Sequence, residues 1–465
     1  MTSTIQTARA QLREKFVGKN IRDVPTPAAI LDVSIVKRNC QRMLDACQAM
    51  GFGFRAHVKT HKTLEITQFQ VGDRNPVNLI VSTVVEAERL VPYLLDCKSQ
   101  DRRINVLYGL PVPPSQIPRL AALAKELGPG SISLMIDHPS QLEAITKLST
   151  LSEGIVAKLF VKIDMGGRRA GVTPDSQALK SLAEKIHEYQ QSGFVELLGL
   201  YAHAGHSYYR KGPAAALDML RQELEALDDA VSVFEKFSNP LTLSVGASPT
   251  AMSLGNLDVG ENVGSKDAET VTAAVNLQAT IDRIRQESAS IEVHAGVYTV
   301  LDLQQFAVHA LPSTSWSNIA VTIMAEVSSI YPGRGEGGST EALIAGGSLA
   351  LGREPCKAYS GWGILTPWNL KGASPQLSDW ENSIEKHRGW QVGRISQEHG
   401  ILTLKGGGES ESNDAPLEVG QKVRVFPNHA CIVLSGYSHL LVVDSSKAGE
   451  EDIICDAWLS LQGWG

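Results

Sequence analysis

The sequence predicts an α/β protein in which a (β/α)8 TIM barrel is followed by a second, C-terminal antiparallel β domain. Eight short apolar, β-branched runs alternate with helix-like segments up to about residue 315. Beyond that point helical periodicity disappears, and all seven tryptophans lie there. Eight alternations of strand and helix are typical of a closed parallel barrel, and the change in composition indicates a second domain.

Length and charge restrict the class of protein. A chain of 465 residues and 50.1 kDa is too long for one ordinary core. We therefore predict an N-terminal segment at residues 1–24, a barrel at residues 25–315 and a β domain at residues 316–465. The formal charge is −7, from 43 Lys and Arg against 50 Asp and Glu. Neither a nucleic acid nor an anionic membrane is an expected partner, so the predicted partner is a small molecule.

The N-terminal segment and the cysteines bear on the compartment of the protein. Met1 to Val24 contains no long apolar stretch, which predicts a surface helix and neither a secretory signal nor a membrane span. An amphipathic organelle signal is the alternative interpretation of this segment. The six cysteines show no close pairing motif, and Cys40 and Cys47 share one face of a predicted helix with Met43 and Leu44. These features are typical of a reduced, intracellular protein and predict a cytoplasmic location.

The predicted barrel strands are short apolar runs that end in polar or glycine-containing segments. They are Phe54–Val58, Asn78–Thr83, Ile104–Tyr108, Ser131–Ile136, Ala157–Ile163, Glu196–Ala202, Leu241–Val245 and Ser290–His294. The helices predicted between them include Glu86–Leu95, Ser115–Glu126, Ser140–Leu148, Asp175–Gln190 and Ala214–Phe237. An open doubly wound sheet is the competing interpretation, but no Gly-x-Gly-x-x-Gly follows the first strand.

The C-terminal domain is predicted from β-like runs separated by glycine and polar turns. These runs are Asn318–Glu326, Gln391–Ile395, Ile401–Leu404, Gln421–Phe426, Ala430–Leu434 and His439–Val443. They predict a small antiparallel barrel or sandwich. Lys405 to Pro416 is predicted to be a solvated hairpin loop, and the early strand Ala28–Asp32 is expected to pair either with this domain or with the barrel.

Chemically useful side chains follow the predicted barrel strands. In such barrels the functional groups lie just beyond the carboxyl ends of the strands. The residues at these positions are Lys59 after the first strand, Arg169 after the fifth, His203 and Tyr208 after the sixth, Gly246, Ser248 and Thr250 after the seventh, and Gly296 and Val297 after the eighth. Their convergence predicts one site at this end of the barrel.

Lys59 is the predicted nucleophile of this site. A lysine at a strand end is positioned on a rigid scaffold, and positive neighbours disfavour its ammonium form. His57, His61 and Lys62 surround it in the sequence. The alternative interpretation of such a segment is a solvated basic turn.

The small-residue turns after the last two strands predict a phosphate site. Backbone N–H groups and hydroxyls there are able to converge on one anion, although glycine, serine and proline also occur in any loop. A lysine that forms a Schiff base beside a phosphate site is the minimal binding site for pyridoxal 5'-phosphate (PLP).

His429 and Cys431 form a candidate metal pair. They are two residues apart in a strand-like run, so both side chains are predicted to leave the same face. An imidazole and a thiolate suit zinc, and two protein ligands fit a catalytic ion with open positions. The alternative is a buried small cysteine beside a core histidine.

The motifs together resemble those of the fold-type III PLP enzymes, the alanine racemase-like group, and within it the eukaryotic D-serine dehydratases and related D-threonine aldolases. The segments that carry the resemblance are His57-Val-Lys-Thr-His-Lys62, Asp164-x-Gly-x-x-Arg169-x-Gly171, Gly199-Leu-Tyr-Ala-His203-Ala-Gly-His-Ser-Tyr208, Gly246-x-Ser-Pro-Thr250, His294-Ala-Gly-x-Tyr298 and Pro427-Asn-His-Ala-Cys431. They span nearly the whole chain.

The resemblance implies a role for each matching residue. It implies that Lys59 binds PLP covalently, that Arg169 lies near the phenolic oxygen of the cofactor and that His203 packs against its ring. Tyr208 is expected near the cofactor or substrate. The residues implied to bind the phosphate are Gly246, Ser248, Thr250, Gly296 and Val297.

The resemblance also implies an activity. The dehydratases of this group carry a His-x-Cys zinc pair, whereas the aldolases tend to carry His-x-Asp, so Cys431 favours β-elimination of D-serine to pyruvate and ammonia. The alternatives are D-threonine aldolase, which breaks the α–β carbon bond, 3-hydroxyaspartate dehydratase, a PLP-binding barrel without turnover, and a racemase. A homodimer is likewise implied.

Overall fold

The computed structural model describes residues 2–74, 76–237, 240–257, 267–286, 289–370, 384–405 and 416–464. Its contacts divide the chain into two compact units. The sheet unit comprises Met1–Cys40, Val297–His309 and Ser313–Ser460, and the barrel unit comprises Gln41–Gly296, Ala310–Pro312 and Leu461–Gly465. This division differs from the predicted boundaries because an early strand and a short segment after the barrel belong to the sheet unit.

Strand β1 (Ala28–Asp32) belongs to the sheet unit, and the next eight strands form the barrel. The barrel strands are β2 (Gly53–His57), β3 (Val77–Val81), β4 (Ile104–Pro111), β5 (Ile132–Ile136), β6 (Ala157–Lys162), β7 (Val195–Tyr201), β8 (Thr242–Val245) and β9 (Ser290–Ala295). Each pairs in parallel with its successor, and β9 pairs with β2 to close the barrel. The predicted barrel is confirmed.

Thirteen α-helices occur in the described ranges. They are α1 (Thr2–Phe16), α2 (Val33–Ala49), α3 (Leu64–Val71), α4 (Val84–Ser99), α5 (Ile117–Leu127), α6 (Pro139–Leu151), α7 (Gln177–Gln191), α8 (Pro213–Val231), α9 (Ser248–Met252), α10 (Ala268–Gln286), α11 (Leu303–Val308), α12 (Ser348–Leu351) and α13 (Ala430–Leu434). Thr63, Thr83 and Ser176 begin α3, α4 and α7, because each side-chain oxygen accepts a backbone N–H of the first turn. None of the helices in the described ranges combines the length and the apolar character that crossing a bilayer requires.

The interior of the barrel combines an apolar cluster with a buried ion pair. Ile80, Leu107, Met135, Phe160 and Tyr201 pack together from five neighbouring strands. Alongside them, Arg55 Nε lies 2.6 Å from Glu292 Oε1, and these side chains are 2% and 5% exposed. Arg55 also donates to Asn105 Oδ1 at 2.7 Å.

Replacing Arg55 with methionine is expected to lower the free energy of unfolding by about 3–5 kcal/mol, because Glu292 would remain buried without its cation. Chemical denaturation measures the change. Arg119→Met, which breaks a half-exposed pair with Glu88, is the control, with an expected cost of about 0–1 kcal/mol. Equal losses in the two variants would contradict the prediction.

The sheet unit adds eight strands to β1. They are β10 (Val321–Tyr331), β11 (Glu341–Ala345), β12 (Gly363–Leu365), β13 (Gly389–Ile395), β14 (His399–Lys405), β15 (Lys422–Pro427), β16 (His439–Val443) and β17 (Asp456–Leu459). The strand order is β11-β14-β13-β12-β15-β10-β1-β16-β17, and β10 also pairs with β11. Six strands therefore form a closed ring of antiparallel pairs, which agrees with the predicted antiparallel β domain.

The core of the sheet unit explains why β1 belongs there. All five residues of β1 are buried, between antiparallel β10 and parallel β16. Ala28 and Ile30 pack with Met324, Leu441 and neighbouring apolar side chains. A strand that is buried along its whole length is stabilised most when a partner strand pairs with it on each side.

The strands of the sheet unit differ from the predicted ones in two respects. The strand predicted at Ala430–Leu434 is wrong, because these residues form α13. Strands β11, β12 and β17 were not predicted, since their runs are short and lack clear alternation. The hairpin loop predicted between Lys405 and Pro416 lies, at residues 406–415, outside the described residues.

Candidate active site

Lys59 lies two residues beyond β2, at the carboxyl end of the barrel, and is half-buried. Val58 N–H bonds to Ile80 O on the neighbouring strand, and Lys62 N–H bonds to Val58 O. The Lys59 N–H itself donates to His57 Nδ1 at 3.4 Å. These bonds close a tight turn that fixes the backbone from which the Lys59 amine extends.

The three neighbours that were expected to add positive charge do not do so. Burial, and then the charge of Lys59, holds the pKa of His57 well below its ordinary value. Burial lowers the pKa of His61 to about 4. The Lys62 ammonium pairs with the buried carboxylate of Glu86. Both imidazoles are therefore neutral and the Lys62 charge is compensated, which corrects the interpretation of Lys59 as a lysine among cations.

His203 follows β7 and is locked into one tautomer. Its Nδ1 lies 2.6 Å from the Gly246 carbonyl oxygen. Because a carbonyl only accepts, Nδ1 carries the proton. Burial lowers the pKa of His203 well below its ordinary value, and the charges of Lys59 and Arg169 add to the effect. His203 is therefore neutral, with a lone pair on Nε2.

A stack of rings continues from His203 into the barrel. The imidazole of His294 lies 5.8 Å from that of His203 and 4.1 Å from the ring of Tyr201, with interplanar angles of 23° and 10°. His294 Nδ1 contacts Ser244 Oγ at 3.1 Å. The His294 ring lies on one side of the His203 ring and restricts the plane that the His203 ring adopts.

Arg169 and Tyr208 lie in the loops after β6 and β7. Arg169 is exposed, and a Cβ built at Gly205 would lie 3.6 Å from its guanidinium and 3.8 Å from the His203 ring, so the guanidinium lies close to His203. Besides burial, its charge helps to lower the pKa of Lys162 and His203. Arg168 is also exposed, and its N–H donates to Asp164 Oδ1. Tyr208 is half-buried in a short 3-10 turn, Gly205–Tyr209.

The turn after β8 packs closely on β9. A Cβ at Gly246 would lie 2.3 Å from His294 O, so only glycine fits. Gly246 N–H donates to Glu223 Oε1 at 3.1 Å. Ala247 N–H donates to Thr250 Oγ1 at 2.8 Å, and this hydroxyl donates to Ala247 O. The Gly246 N–H and the Thr250 hydroxyl, two predicted phosphate donors, therefore already have protein partners.

The other predicted phosphate residues lie in three places. Ser248 is buried at the first position of the one-turn helix α9. Gly296 follows β9, and a Cβ there would lie 3.0 Å from His57 O, close to the Lys59 turn. Val297 is buried and belongs to the sheet unit.

Two buried ionisable residues, Lys162 and Glu223, were not predicted to belong to the site. Lys162 ends β6 with its Nζ 5.4 Å from the centre of the Tyr201 ring, and burial lowers its pKa to about 8. Glu223 lies on α8, and burial raises its pKa to about 7. The sequence did contain a signal for Glu223, since it falls on the apolar face of α8 with Leu220 and Leu227.

His429 and Cys431 meet in the sheet unit, but not on a strand. β15 ends at Pro427, His429 precedes α13, and Cys431 lies in its first turn. Burial alone would lower the pKa of His429, but a hydrogen bond and the charge of Cys431 raise it to about 9. His429 Nδ1 is buried and has no hydrogen-bond partner. The described part of the chain contains no cluster of three or more His, Cys, Asp or Glu side chains suited to a metal ion.

Asp302 shapes the turn that brings the pair together. Its Oδ2 accepts the Ala430 N–H at 2.8 Å, and its Oδ1 accepts the Gln305 N–H at 2.8 Å. The Asn428 side chain donates to the carbonyls of Glu354 and Gly361. These bonds replace the strand ladder after Pro427, which is why the predicted strand is a helix.

The barrel and the sheet unit match known families. Residues 31–261 match the model described as "Alanine racemase, N-terminal domain", and residues 320–443 match that of a "Putative serine dehydratase domain". A barrel of this kind joined to a sheet unit defines an alanine racemase-like protein.

The curated relatives cover nearly the full length. The D-serine dehydratase of Schizosaccharomyces pombe is 36% identical, over 98% of this chain and 96% of the relative. That of Saccharomyces cerevisiae is 32% identical, over 97% of this chain and 99% of the relative. The chain therefore belongs to the D-serine dehydratase family, and the resemblance noted in the sequence is confirmed.

Solved structures share the fold. The D-threo-3-hydroxyaspartate dehydratase from Delftia sp. HT23 aligns with a TM-score of 0.71 at 23% identity, covering 96% of this chain and all of that one. The D-threonine aldolase from Filomicrobium marinum aligns with a TM-score of 0.67 at 19% identity, over 96% of this chain and 97% of that one.

Proposed function

We propose that this protein is a PLP- and zinc-dependent D-serine dehydratase, a lyase that eliminates water from D-serine and releases pyruvate and ammonia. The observation that carries the proposal is the 36% identity, over nearly the full length of both chains, to the S. pombe D-serine dehydratase. The side chains of the barrel unit fit PLP. Those of the sheet unit separately fit zinc.

The barrel residues suit PLP. Lys59 is a half-buried amine at the end of β2, and His203 offers a flat, neutral ring whose plane is fixed by His294. Arg169 adds a cation nearby. When bound, PLP supplies an electron sink for the substrate α-carbon. In the proposal Lys59 binds the cofactor, Arg169 lies near its phenolic oxygen, and His203 packs on its ring.

The turns after β8 and β9 are the proposed phosphate site. The site is formed by Gly246, Ser248, Thr250 and Gly296. Gly246 and Thr250 shape the turn, since the Gly246 N–H and the Thr250 hydroxyl are bonded within the protein. Tyr208 is proposed to lie near the substrate, and Val297 remains a prediction from the sequence.

Lys59 is the proposed base. Its amine, at the carboxyl end of the barrel strands, would take the α-proton of the substrate after the substrate amine has replaced it on the cofactor. The neutral states of His57 and His203 matter here, because neither imidazole adds a positive charge beside the amine. A protonated histidine in either place would repel the ammonium that forms when Nζ accepts the proton.

His429 and Cys431 suit zinc. The donor set of one imidazole and one thiol is typical of this ion, and His429 Nδ1 is a buried nitrogen without a hydrogen-bond partner. If zinc were held there, it would supply Lewis-acid chemistry for a substrate hydroxyl. Asp302 and Asn428 fix the turn that presents both side chains.

D-Threonine distinguishes elimination from carbon–carbon cleavage. Purified protein supplied with PLP and zinc is expected to convert it to 2-oxobutyrate and ammonia, detected by product chromatography. A matched reaction without protein is the control. Glycine and acetaldehyde as the products would contradict the proposal and identify an aldolase.

3-Hydroxyaspartate is the second candidate substrate, since a D-threo-3-hydroxyaspartate dehydratase from Delftia sp. is 24% identical over 94% of this chain and 98% of the relative. Its extra carboxylate needs a cationic partner. Arg55 does not serve, because it is buried in the barrel and pairs with Glu292. The 36% identity to a D-serine dehydratase, against 24% to the 3-hydroxyaspartate enzyme, makes D-serine the preferred substrate.

We also propose a cytoplasmic homodimer. The dimer follows from the resemblance to the alanine racemase-like group. All six cysteines are free thiols, as expected in a reducing compartment. Sedimentation of the purified protein tests the dimer.

A further inference from the structure

Glu223 joins two loops of the barrel unit through one oxygen atom. It is a fully buried residue of α8. Its Oε1 accepts the Ala204 N–H at 2.7 Å and the Gly246 N–H at 3.1 Å. Ala204 follows β7 and Gly246 follows β8, so the carboxylate ties together loops that come from different parts of the chain.

The same loops determine the position of His203. Its backbone precedes Ala204 directly, and its Nδ1–H donates to the Gly246 carbonyl at 2.6 Å. The residue is thus anchored at both ends, its main chain through Ala204 and its ring through Gly246. Both anchors depend on Glu223 Oε1, because this oxygen accepts the N–H groups of Ala204 and Gly246.

The N–H groups of Ala204 and Gly246 are too deeply buried for water to replace Glu223 as their acceptor. Ala204 is fully buried and Ala247, next to Gly246, is 1% exposed. Without Glu223, two buried N–H groups would lose their acceptor, which is costly enough to move the loops. Glu223 Oε2 is buried without a hydrogen-bond partner, so Oε1 alone makes the two backbone bonds.

We propose that Glu223 is a positioning residue, whose Oε1 fixes the place and the Nδ1–H tautomer of His203 and thereby the ring on which PLP packs. The importance for PLP rests on the proposed function. The tautomer of His203 does not, since it is a property of the protein without cofactor.

Two substitutions separate the position of the oxygen from the charge. Glu223→Gln keeps an acceptor at the place of Oε1 and removes the charge, whereas Glu223→Asp keeps the charge and withdraws the oxygen by one methylene. Glu225→Ala is the matched control, since Glu225 lies on the same helix and pairs with Arg221 at 2.7 Å. Arg221 also pairs with Asp218 on α8, and Glu225 accepts a hydrogen bond from Thr280 on α10, so the bonds given for this pair involve neither of the two loops.

The first readout is the imidazole ¹⁵N signal of His203 in histidine-labelled protein without PLP, assigned by its loss in His203→Gln. The second is the dissociation constant of PLP. Glu223→Asp is expected to shift the signal toward a tautomer mixture and to weaken PLP binding about tenfold or more, because one or two buried backbone N–H groups would lose their acceptor. Glu223→Gln and Glu225→Ala are expected to stay within about threefold of the unsubstituted protein.

Two results would overturn the inference. One is an unchanged His203 signal in Glu223→Asp. The other is a Glu223→Gln variant that loses the tautomer while Glu223→Asp keeps it, because charge and not position would then matter. If the unsubstituted protein binds no PLP, the proposed function fails, and the ¹⁵N signal still decides the role of Glu223.

Discussion

Replacing Lys59 with alanine is expected to lower the turnover of D-serine about a thousandfold or more and to abolish covalent attachment of PLP. The barrel places a half-buried amine at the end of β2, where the turn from Val58 to Lys62 fixes its backbone. Loss of a positioned base costs about 10²–10⁴ in rate, and here the same side chain is also the proposed attachment point. Steady-state kinetics measure the first effect, and borohydride reduction followed by peptide mapping measures the second.

Lys185→Ala is the matched control for this experiment. Lys185 lies on the surface of α7 and pairs with Glu188. Its loss is expected to leave turnover and cofactor attachment unchanged. A Lys59→Ala protein that still carries reducible PLP on another lysine would refute the assignment of Lys59.

Cys431→Ala is expected to remove zinc from the purified protein, to lower turnover about a hundredfold or more and to leave PLP attachment intact. One of two proposed protein ligands is lost, and a Lewis acid contributes several kcal/mol to such a reaction, each 1.36 kcal/mol being tenfold in rate. Metal analysis gives the zinc content, and the visible absorbance of the bound cofactor gives the PLP content. Retention of PLP separates this variant from Lys59→Ala.

Cys455→Ala controls for the loss of a thiol. Cys455 also lies in the sheet unit, where its thiol donates to Val442 O at 3.4 Å. Its replacement is expected to change neither the zinc content nor the turnover. A fully active Cys431→Ala enzyme without zinc would end the proposed metal role.

Much of the barrel was predictable because its evidence is local. Each strand from Gly53–His57 to Ser290–Ala295 is a short apolar run, and the predicted ends differ from the observed ends by three residues at most. The strand β1 was recognised, but its partners are more than 280 residues away in the chain, at Val321–Tyr331 and His439–Val443. Local pattern does not choose between partners that far apart.

His429 and Cys431, the proposed metal pair, do lie next to each other, but not in the strand that the sequence predicted. The sequence alone brought His429 and Cys431 together because two residues of spacing place side chains close in a strand. In the structure the chain turns after Pro427, and Asp302 stabilises the turn at Ala430 N–H, so the contact arises at the start of α13. The side chains are in contact, but Asp302, more than 120 positions away in the chain, determines the geometry of that contact.

The sequence by itself determined the order of the eight barrel strands, the end of the barrel at which Lys59, Arg169 and His203 lie, and the family. These depend on periodicity and on residues that follow strand ends. Only the tertiary structure decided which charges are compensated: Lys62 by Glu86, and Arg55 by Glu292. It also revealed that Glu223 joins the loops around His203. Charge state and hydrogen bonding in a buried site depend on groups brought together from distant segments, and a linear pattern does not contain those distances.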